Sequence, residues 1–254
     1  MATCVISGSA SGIGAATKER LQADGFDVVG IDIRDADVLA DLSKPEERDA
    51  AVAAVLEKTG GRIDRLVLSA GLGELHPLPT VTSVNYFGSI RLLDAFQDAL
   101  GRGEDPAAVL LCSNSARMTT FEGHPYVEAL LDEDEERARE VIEKDPVTFV
   151  AYAGGKFALG IAMRRRAPSW GAAGIRLNAI APGPTDTPLL DEIAADPVRT
   201  KGLQGLPNPL GRHASPAEMA SVIAFLLGPE SSYVHGIILY ADGGIDAAIA
   251  PDRF

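Results

Sequence analysis

"TCVISGSASGIGAATKERL", residues 3–21, sets the architecture of the chain. Cys4, Val5 and Ile6 form an apolar run of strand length. It leads straight into a turn carrying Gly8, Gly12 and Gly14, and a helical pattern follows from residue 12. Glycine tolerates φ > 0 and leaves room for close backbone approach, so this order of elements can seat a pyrophosphate on a helix N-terminus. The spacing alone is weak, because many tight turns are glycine-rich. Its place at the first strand-to-helix junction favours a dinucleotide site over a structural turn. Ser7 and Ser9 add hydroxyl donors, and Ile13 lies between the last two glycines.

The same unit recurs along the chain. Apolar runs at 3–7, 27–33, 38–42, 63–71, 107–113, 175–183 and 236–244 read as strands, and helical patterns occupy 12–24, 45–58, 81–100, 150–170 and 215–227. Pro45 and Pro216 sit at first helical positions, where proline is accepted, and Ser215 is placed to cap the last helix. Strands that are apolar throughout belong in a parallel sheet covered on both faces. Right-handed crossovers then give a single-domain, Rossmann-like, doubly wound α/β fold over 1–254. Two segments interrupt the alternation. Residues 114–149 form a helical or loop insertion ahead of the 150–170 helix, longer than an ordinary connection. Its charged run "LLDEDEERAREVIEKD" (130–145) still permits an amphipathic helix through Leu131, Arg137, Val141 and Ile142, and reads as a solvated helical face. Residues 184–214, with Pro184, Pro188, Pro197, Pro207 and Pro209, read as a loop-rich substrate lid.

Composition narrows the function classes. A chain of 254 residues can bury a large core, and at 6% aromatic content that core is mainly aliphatic. A net charge of −13 argues against nucleic acid or an anionic membrane as partner. No window approaches the ~18 uncharged apolar residues of a membrane span, and no signal peptide is read at the start. Cys4 and Cys112 fall in apolar strand runs and read as buried free thiols of a cytoplasmic protein. His76, His124, His213 and His235 are scattered, so no metal site is expected.

Two further features carry chemistry. Asp32 lies 18 residues beyond Gly14, at the end of the second strand. A carboxylate there can bind both adenosine ribose hydroxyls and would repel a 2′-phosphate. Arg34 is the counterweight, since a nearby guanidinium can accommodate such a phosphate; with no basic residue in 7–14, NAD is favoured over NADP. In "AYAGGKFALG" (151–160), Tyr152 and Lys156 stand four apart, on one face of a helix. On spacing alone a chance pairing is the plainer reading, and whatever else the fold sets beside that face has to decide.

Taken in order, "SGSASGIG" (7–14), Asp41-Leu42, "LSAG" (68–71), "SVNYFG" (83–88), "LLCS" (110–113), "YAGGK" (152–156), "APG" (181–183) and "DGG" (242–244) resemble the short-chain dehydrogenase/reductase family over nearly the whole chain. The resemblance implies a catalytic set of Asn85, Ser113, Tyr152 and Lys156, with Tyr152 as general acid/base. It implies NAD held by the glycine turn (Gly8, Ser9, Gly12, Ile13, Gly14) and Asp32, then by Asp41, Leu42, Ala70 and Gly71. Near the nicotinamide it implies Tyr152, Lys156, Pro182, Gly183, Thr185 and Thr187. It gives Lys156 the nicotinamide ribose, and Asn85 a water linking Lys156 to solvent. The chemistry is coherent: a phenol of pKa ~10 is a poor base at neutral pH, and a nearby ammonium and the positive oxidised nicotinamide both favour phenolate. There are two departures. The usual NNAG reads LSAG, which should weaken a structural hydrogen-bond network, and the spacing from Ser113 to Tyr152 is long.

Within the family, "GIDIRDADVLADLS" (30–43), "VTSVNYFG" (81–88), "EMASVIAFLL" (218–227) and the insertion are most similar to the bacterial 3α-hydroxysteroid dehydrogenase/carbonyl reductase group. This implies a bulky apolar alcohol or ketone, walled by 72–75, 114–118, Phe149, Pro184, Leu189 and Leu190. Aromatic or terpenoid alcohols would fit such a pocket as well. A 3-oxoacyl group on an acidic carrier wants a basic docking face, which a chain at −13 offers only at "RRR" (164–166). A non-catalytic NAD-binding scaffold has no need of Ser113, Tyr152 and Lys156 together. Of the two interfaces by which family members assemble, the acidic insertion should block the one built on 81–100 and 150–170. The expectation is a homodimer through 215–227 and 236–241.

Overall fold

The computed structural model describes residues 1–252 and places seven strands in one sheet, in the order β3-β2-β1-β4-β5-β6-β7. These are β1 (Thr3–Ser7), β2 (Asp27–Asp32), β3 (Val38–Leu39), β4 (Arg65–Leu68), β5 (Ala107–Leu111), β6 (Arg176–Pro182) and β7 (Ile238–Ala241). Every neighbouring pair is parallel. All seven expected strands are present, and all but β1 are shorter than their apolar runs, most of all β3, β4 and β7. From β1 the chain winds outward to β3, then returns to the other side of β1 and winds out to β7. The order reverses between β1 and β4, so a crevice opens beyond the C-terminal ends of those two strands.

Alternate residues of each strand enter opposite layers. Cys4, Ile6, Val67, Val109 and Ile180 face a layer with α1 (Gly12–Ala23) and α10 (Pro216–Leu227). Val5, Ile31, Leu66, Leu68, Ala108 and Leu110 face the larger layer. That layer holds α2 (Pro45–Lys58), α4 (Ser89–Gly101) and α7 (Gly155–Ala172). Helix α10 begins as expected at Ser215, whose hydroxyl accepts from Glu218 N at 3.3 Å while Glu218 accepts from Ser215 N at 2.8 Å. This reciprocal cap satisfies two otherwise unpaired donors.

The two long helices are less regular than their patterns imply. After α3 (Leu78–Thr82), a π-helical segment Ser83–Gly88 leads into α4, and another, Val150–Gly154, leads into α7. Such segments widen a helix and re-aim its side chains. Asn85 lies in the first and Tyr152 in the second.

The charged run of the insertion does not form one helix. It is split into α5 (Pro125–Leu131) and α6 (Glu135–Lys144), with Glu133 at φ 56° between them. Both fold back on the chain, burying Tyr126, Leu130, Ala138 and Ile142 in the larger layer. The Tyr126 hydroxyl joins Thr82 Oγ1 at 2.9 Å and donates to Ala151 O at 3.2 Å, so the insertion is bolted to both π-helical segments or their approaches. The lid is also more ordered than a loop. Pro188 and Pro197 start α8 (Pro188–Ala195) and α9 (Pro197–Gln204), capped by Thr187 and Asp196. Proline at the first helical position opens a helix, and the proline count had masked that. The described chain ends in α11 (Ile245–Ile249), and among the described residues no helix is long and apolar enough to cross a membrane.

Cys4 and Cys112 belong to opposite layers of the sheet and are both buried and unpaired. Burial pushes the Cys112 thiol up to about 11 and Cys4 higher still. The native protein should therefore react slowly with a thiol reagent, and protein denatured without reductant should release two thiols. A disulfide recovered under those conditions would contradict this sheet order.

Candidate active site

The C-terminal ends of β1, β2, β4, β5 and β6 open onto one cavity of about 1000 Å³. Its floor at one end is the turn after β1. Gly8 and Gly12 have φ of 74° and 55°, open to glycine and strained for other residues. A Cβ on Gly8 would lie 2.7 Å from Ala70 Cα, and one on Gly14 would lie 1.9 Å from Gly8 O. The turn thus packs on backbone below and presents backbone to the cavity above, which is the cradle a pyrophosphate needs. Asp32 lines the same cavity, with its carboxylate fixed by Ala10 N at 3.0 Å and Ile33 N at 2.7 Å. Ile13, Asp41, Leu42, Ala70 and Gly71 line it too, as do Pro182, Gly183, Thr185 and Thr187 across the cleft. These residues fit an NAD-type dinucleotide.

Two of the residues expected at the site are not in the cavity wall. Ser9 is tucked under β2, where its hydroxyl would be 2.3 Å from a Cβ on Gly30 and has no partner. Asn85 is buried, and its amide accepts from Leu72 N at 2.7 Å and donates to Leu72 O at 3.0 Å. It pins the segment after β4 and lies beside Lys156: a Cβ on Gly71 would be 3.4 Å from Asn85 Oδ1 and 3.5 Å from Lys156 Nζ. Within LSAG, the Ser69 hydroxyl donates to Ser7 O at 2.5 Å and ties the turn after β4 to β1.

Beyond the cradle, Ser113, Tyr152 and Lys156 converge. Ser113 follows β5, and its Oγ accepts from Ser115 N at 3.2 Å and pairs with Ser115 Oγ at 2.9 Å. Lys156 is 5% exposed and donates to Leu111 O at 2.8 Å. Burial lowers its pKa from 10.5 to about 8. Tyr152 departs from the expectation that Lys156 would draw it down. Its burial pushes the phenol up, the Ser113 hydrogen bond pulls it back, and the Glu74 and Cys112 charges push it up again. In the chain alone, desolvation wins.

The far end of the cavity is closed by the lid. Leu72, Gly73, Glu74, Asn114, Ser115, Met118, Phe149, Pro184, Leu189 and Leu190 line it as expected, whereas Leu75, Ala116 and Arg117 do not. Ile193, Arg199, Leu203 and Leu206 are additions from α8, α9 and the residues after them. Only recognition of lid helices in the sequence could have found them. Arg199 forms an ion pair with Glu74, and Thr148 joins both, at 3.3 Å to Glu74 and 3.2 Å to Arg199. Loop, insertion and lid therefore meet at one charged contact.

A doubly wound sheet whose crevice joins a dinucleotide cradle to a buried serine and lysine and a half-buried tyrosine defines a nucleotide-dependent oxidoreductase. Residues 2–129 match the family model described as short chain dehydrogenase, and residues 138–246 match one described as enoyl-(acyl carrier protein) reductase. The chain is 50% identical, over 100% of both sequences, to the 3-alpha-hydroxysteroid dehydrogenase/carbonyl reductase of Comamonas testosteroni. It is 31% identical, over 95% of both, to the coniferyl-alcohol dehydrogenase of Pseudomonas sp. (strain HR199 / DSM 7063). It superposes at a TM-score of 0.98, with 46% identity and 100% coverage of both chains, on the crystal structure of the 3-alpha-hydroxysteroid dehydrogenase from Pseudomonas sp. B-0831 complexed with NADH. The chain belongs to the short-chain dehydrogenase/reductase family.

Lys156 provides a test of the site's cost. Its folded-state pKa lies below the unfolded one, so the penalty is fully present below pH about 8 and is relieved as pH rises toward 10.5. Such a shift corresponds to about 3 kcal/mol, from which ~1 is deducted for the bond to Leu111 O. Lys156→Met should stabilise the cofactor-free protein by about 1–2 kcal/mol at neutral pH, with a gain that shrinks above pH ~9. Thermal melts would show it; a lower Tm at neutral pH would contradict it.

Proposed function

We propose that this protein is an NAD(H)-dependent 3α-hydroxysteroid dehydrogenase/carbonyl reductase, interconverting a secondary alcohol and a ketone on a bulky apolar substrate. The observation that carries the proposal is the meeting of Ser113, Tyr152 and Lys156 where the cradle gives way to an apolar chamber under the lid. The substrate class rests on the two hydroxysteroid dehydrogenases to which the chain is similar along its full length.

NAD(H), when bound, supplies hydride transfer. Gly8, Gly12 and Gly14 would hold its pyrophosphate, Asp32 the adenosine ribose and Thr187 the nicotinamide carboxamide. Asp32 would also repel a 2′-phosphate. The Tyr152 hydroxyl gives a proton to the substrate oxygen in reduction and takes one in oxidation, and Ser113 Oγ donates a hydrogen bond to the same oxygen. Lys156 would hold the nicotinamide ribose. Asn85 keeps Leu72 in place beside it. Leu189, Leu190, Leu203 and Leu206 exclude water from the chamber.

Purified protein given NAD and a 3α-hydroxysteroid should produce NADH absorbance. Faster turnover of coniferyl alcohol would move the substrate assignment to aromatic alcohols. Tyr152→Phe should lower kcat by at least ~10³-fold with NADH binding retained. Substantial residual turnover would remove Tyr152 from its assigned role.

The protein is further proposed to be a cytoplasmic homodimer. Two buried thiols without a disulfide suit a reducing compartment. The insertion lies over the α7 side of the molecule, whereas β7 is a half-buried sheet edge, and Phe225 and Tyr233 next to it are exposed. Pairing through α10 and β7 would cover them. Light scattering should give a dimer, and a tetramer would overturn the assignment.

A further inference from the structure

We infer that Glu135, at the start of α6 in the insertion, is a positioning residue for the adenine end of the cofactor site, acting through the buried Arg48. The inference rests on the proposed NAD site. It gives the insertion a task at a place no part of it touches.

Arg48 is 1% exposed, and each nitrogen of its guanidinium has a partner. Nε donates to Leu42 O at 2.6 Å, and Nη2 donates to Ser43 O and Ser83 O, each at 3.3 Å. Glu135 takes the remaining valences as a two-point pair, Oε2 with Nη1 and Oε1 with Nη2, both at 2.7 Å. Planar pairs of this kind fix direction as well as distance. The three carbonyls belong to two segments of the site. Leu42 and Ser43 follow β3, and Ala40, Asp41 and Leu42 line the cavity next to Asp32. Ala40 N donates to Asp32 O at 2.9 Å, so this loop and the ribose-binding acid form one wall. Ser83 opens the π-helical segment whose Asn85 pins Leu72. Leu42 is also held from behind, since a Cβ on Gly88 would be 3.1 Å from its own Cβ.

Glu135 is what makes this arrangement tenable. A guanidinium buried against three carbonyls but lacking a counter-charge is strongly unfavourable. Relief would come by turning Arg48 toward solvent, which would release Leu42 and Ser83 together. Glu135 is itself anchored: Asp134 caps α6, accepting from Arg137 N at 3.0 Å, and Ala138 and Ile142 seat the helix in the core. Burial raises the Glu135 carboxyl and the Arg48 bonds outweigh it, leaving it below the usual carboxylate range.

The test compares Glu135→Gln and Glu135→Ala with wild type in NADH binding by fluorescence, in AMP competition against NADH, and in kcat at saturating cofactor. Exposed Glu136, one residue along, supplies the Glu136→Gln control. Both Glu135 variants should raise the NADH dissociation constant about tenfold and weaken AMP in parallel, with kcat within about twofold of wild type and the control unchanged. AMP reports the adenine end alone, so a general loosening of the fold would not produce that pattern. An unchanged NADH dissociation constant, even with a lower Tm, would make the pair merely structural and overturn the inference. So would a loss confined to kcat, or one shared by Glu136→Gln. A wild-type protein that bound neither NADH nor AMP would instead overturn the cofactor reading on which this one rests.

Discussion

Backbone packs closely between the turn after β1 and the turn after β4, and no side chain fits at Gly8 or Gly14. A Cβ on Gly8 would meet Ala70, and a Cβ on Gly14 would meet Gly8 O and Ser69 Oγ, all at 2.7 Å or less. Because the strand order reverses there, this contact forms the wall of the crevice. Closing it turns the N-terminus of α1 toward the cavity. It also carries the chain from Ala70 into Gly71, which lies beside the Lys156 ammonium. Cradle and proton-transfer group thus share one piece of backbone, and loosening either turn would disturb both.

Three of the cations in or near the interior are treated differently. Arg48 is held by three carbonyls and Glu135. Arg166 is held by Asp94 at 2.6 and 2.7 Å and by Glu133 at 2.6 Å. Lys156 has one carbonyl, from Leu111, and its pKa falls in consequence. A charge left short of partners is unfavourable in a core and useful in an active site, where the missing partner is supplied by what binds. Arg48 and Arg166 are neutralised by carboxylates; the lysine of the site is not.

The alternation of apolar runs with amphipathic patterns made the sheet legible, since both periods are set by local geometry. The glycine turn and Asp32 were legible for the same reason: each marks a fixed place in a strand-turn-helix unit. Less visible were features decided by packing at a distance. The break at Glu133, which divides α5 from α6, follows from burying Leu130 and Ala138 against different neighbours, and a helical pattern alone runs through it. Pro188 and Pro197 counted toward a loop when they were in fact first residues of helices. The inward turn of Ser9 depends on Gly30 of another strand. Tyr152 and Lys156 were identified as a pair, but the direction of the phenol shift needed their burial, which no spacing encodes.

That shift bears on how the site would run in two directions. Burial and the Glu74 charge hold Tyr152 as a neutral phenol in the free chain, with only Ser113 pulling the other way. A neutral phenol is ready to donate, the role a ketone reduction asks of it. Accepting a proton from an alcohol requires phenolate, and so requires more positive charge near the ring than the chain alone provides. On the proposed function that charge is present only when the oxidised dinucleotide occupies the cradle, so Tyr152 becomes a base in the one state where a base is needed. Arg199 of α9 pairs with the same Glu74 whose charge raises the phenol. The lid and the proton-transfer group thus share one carboxylate.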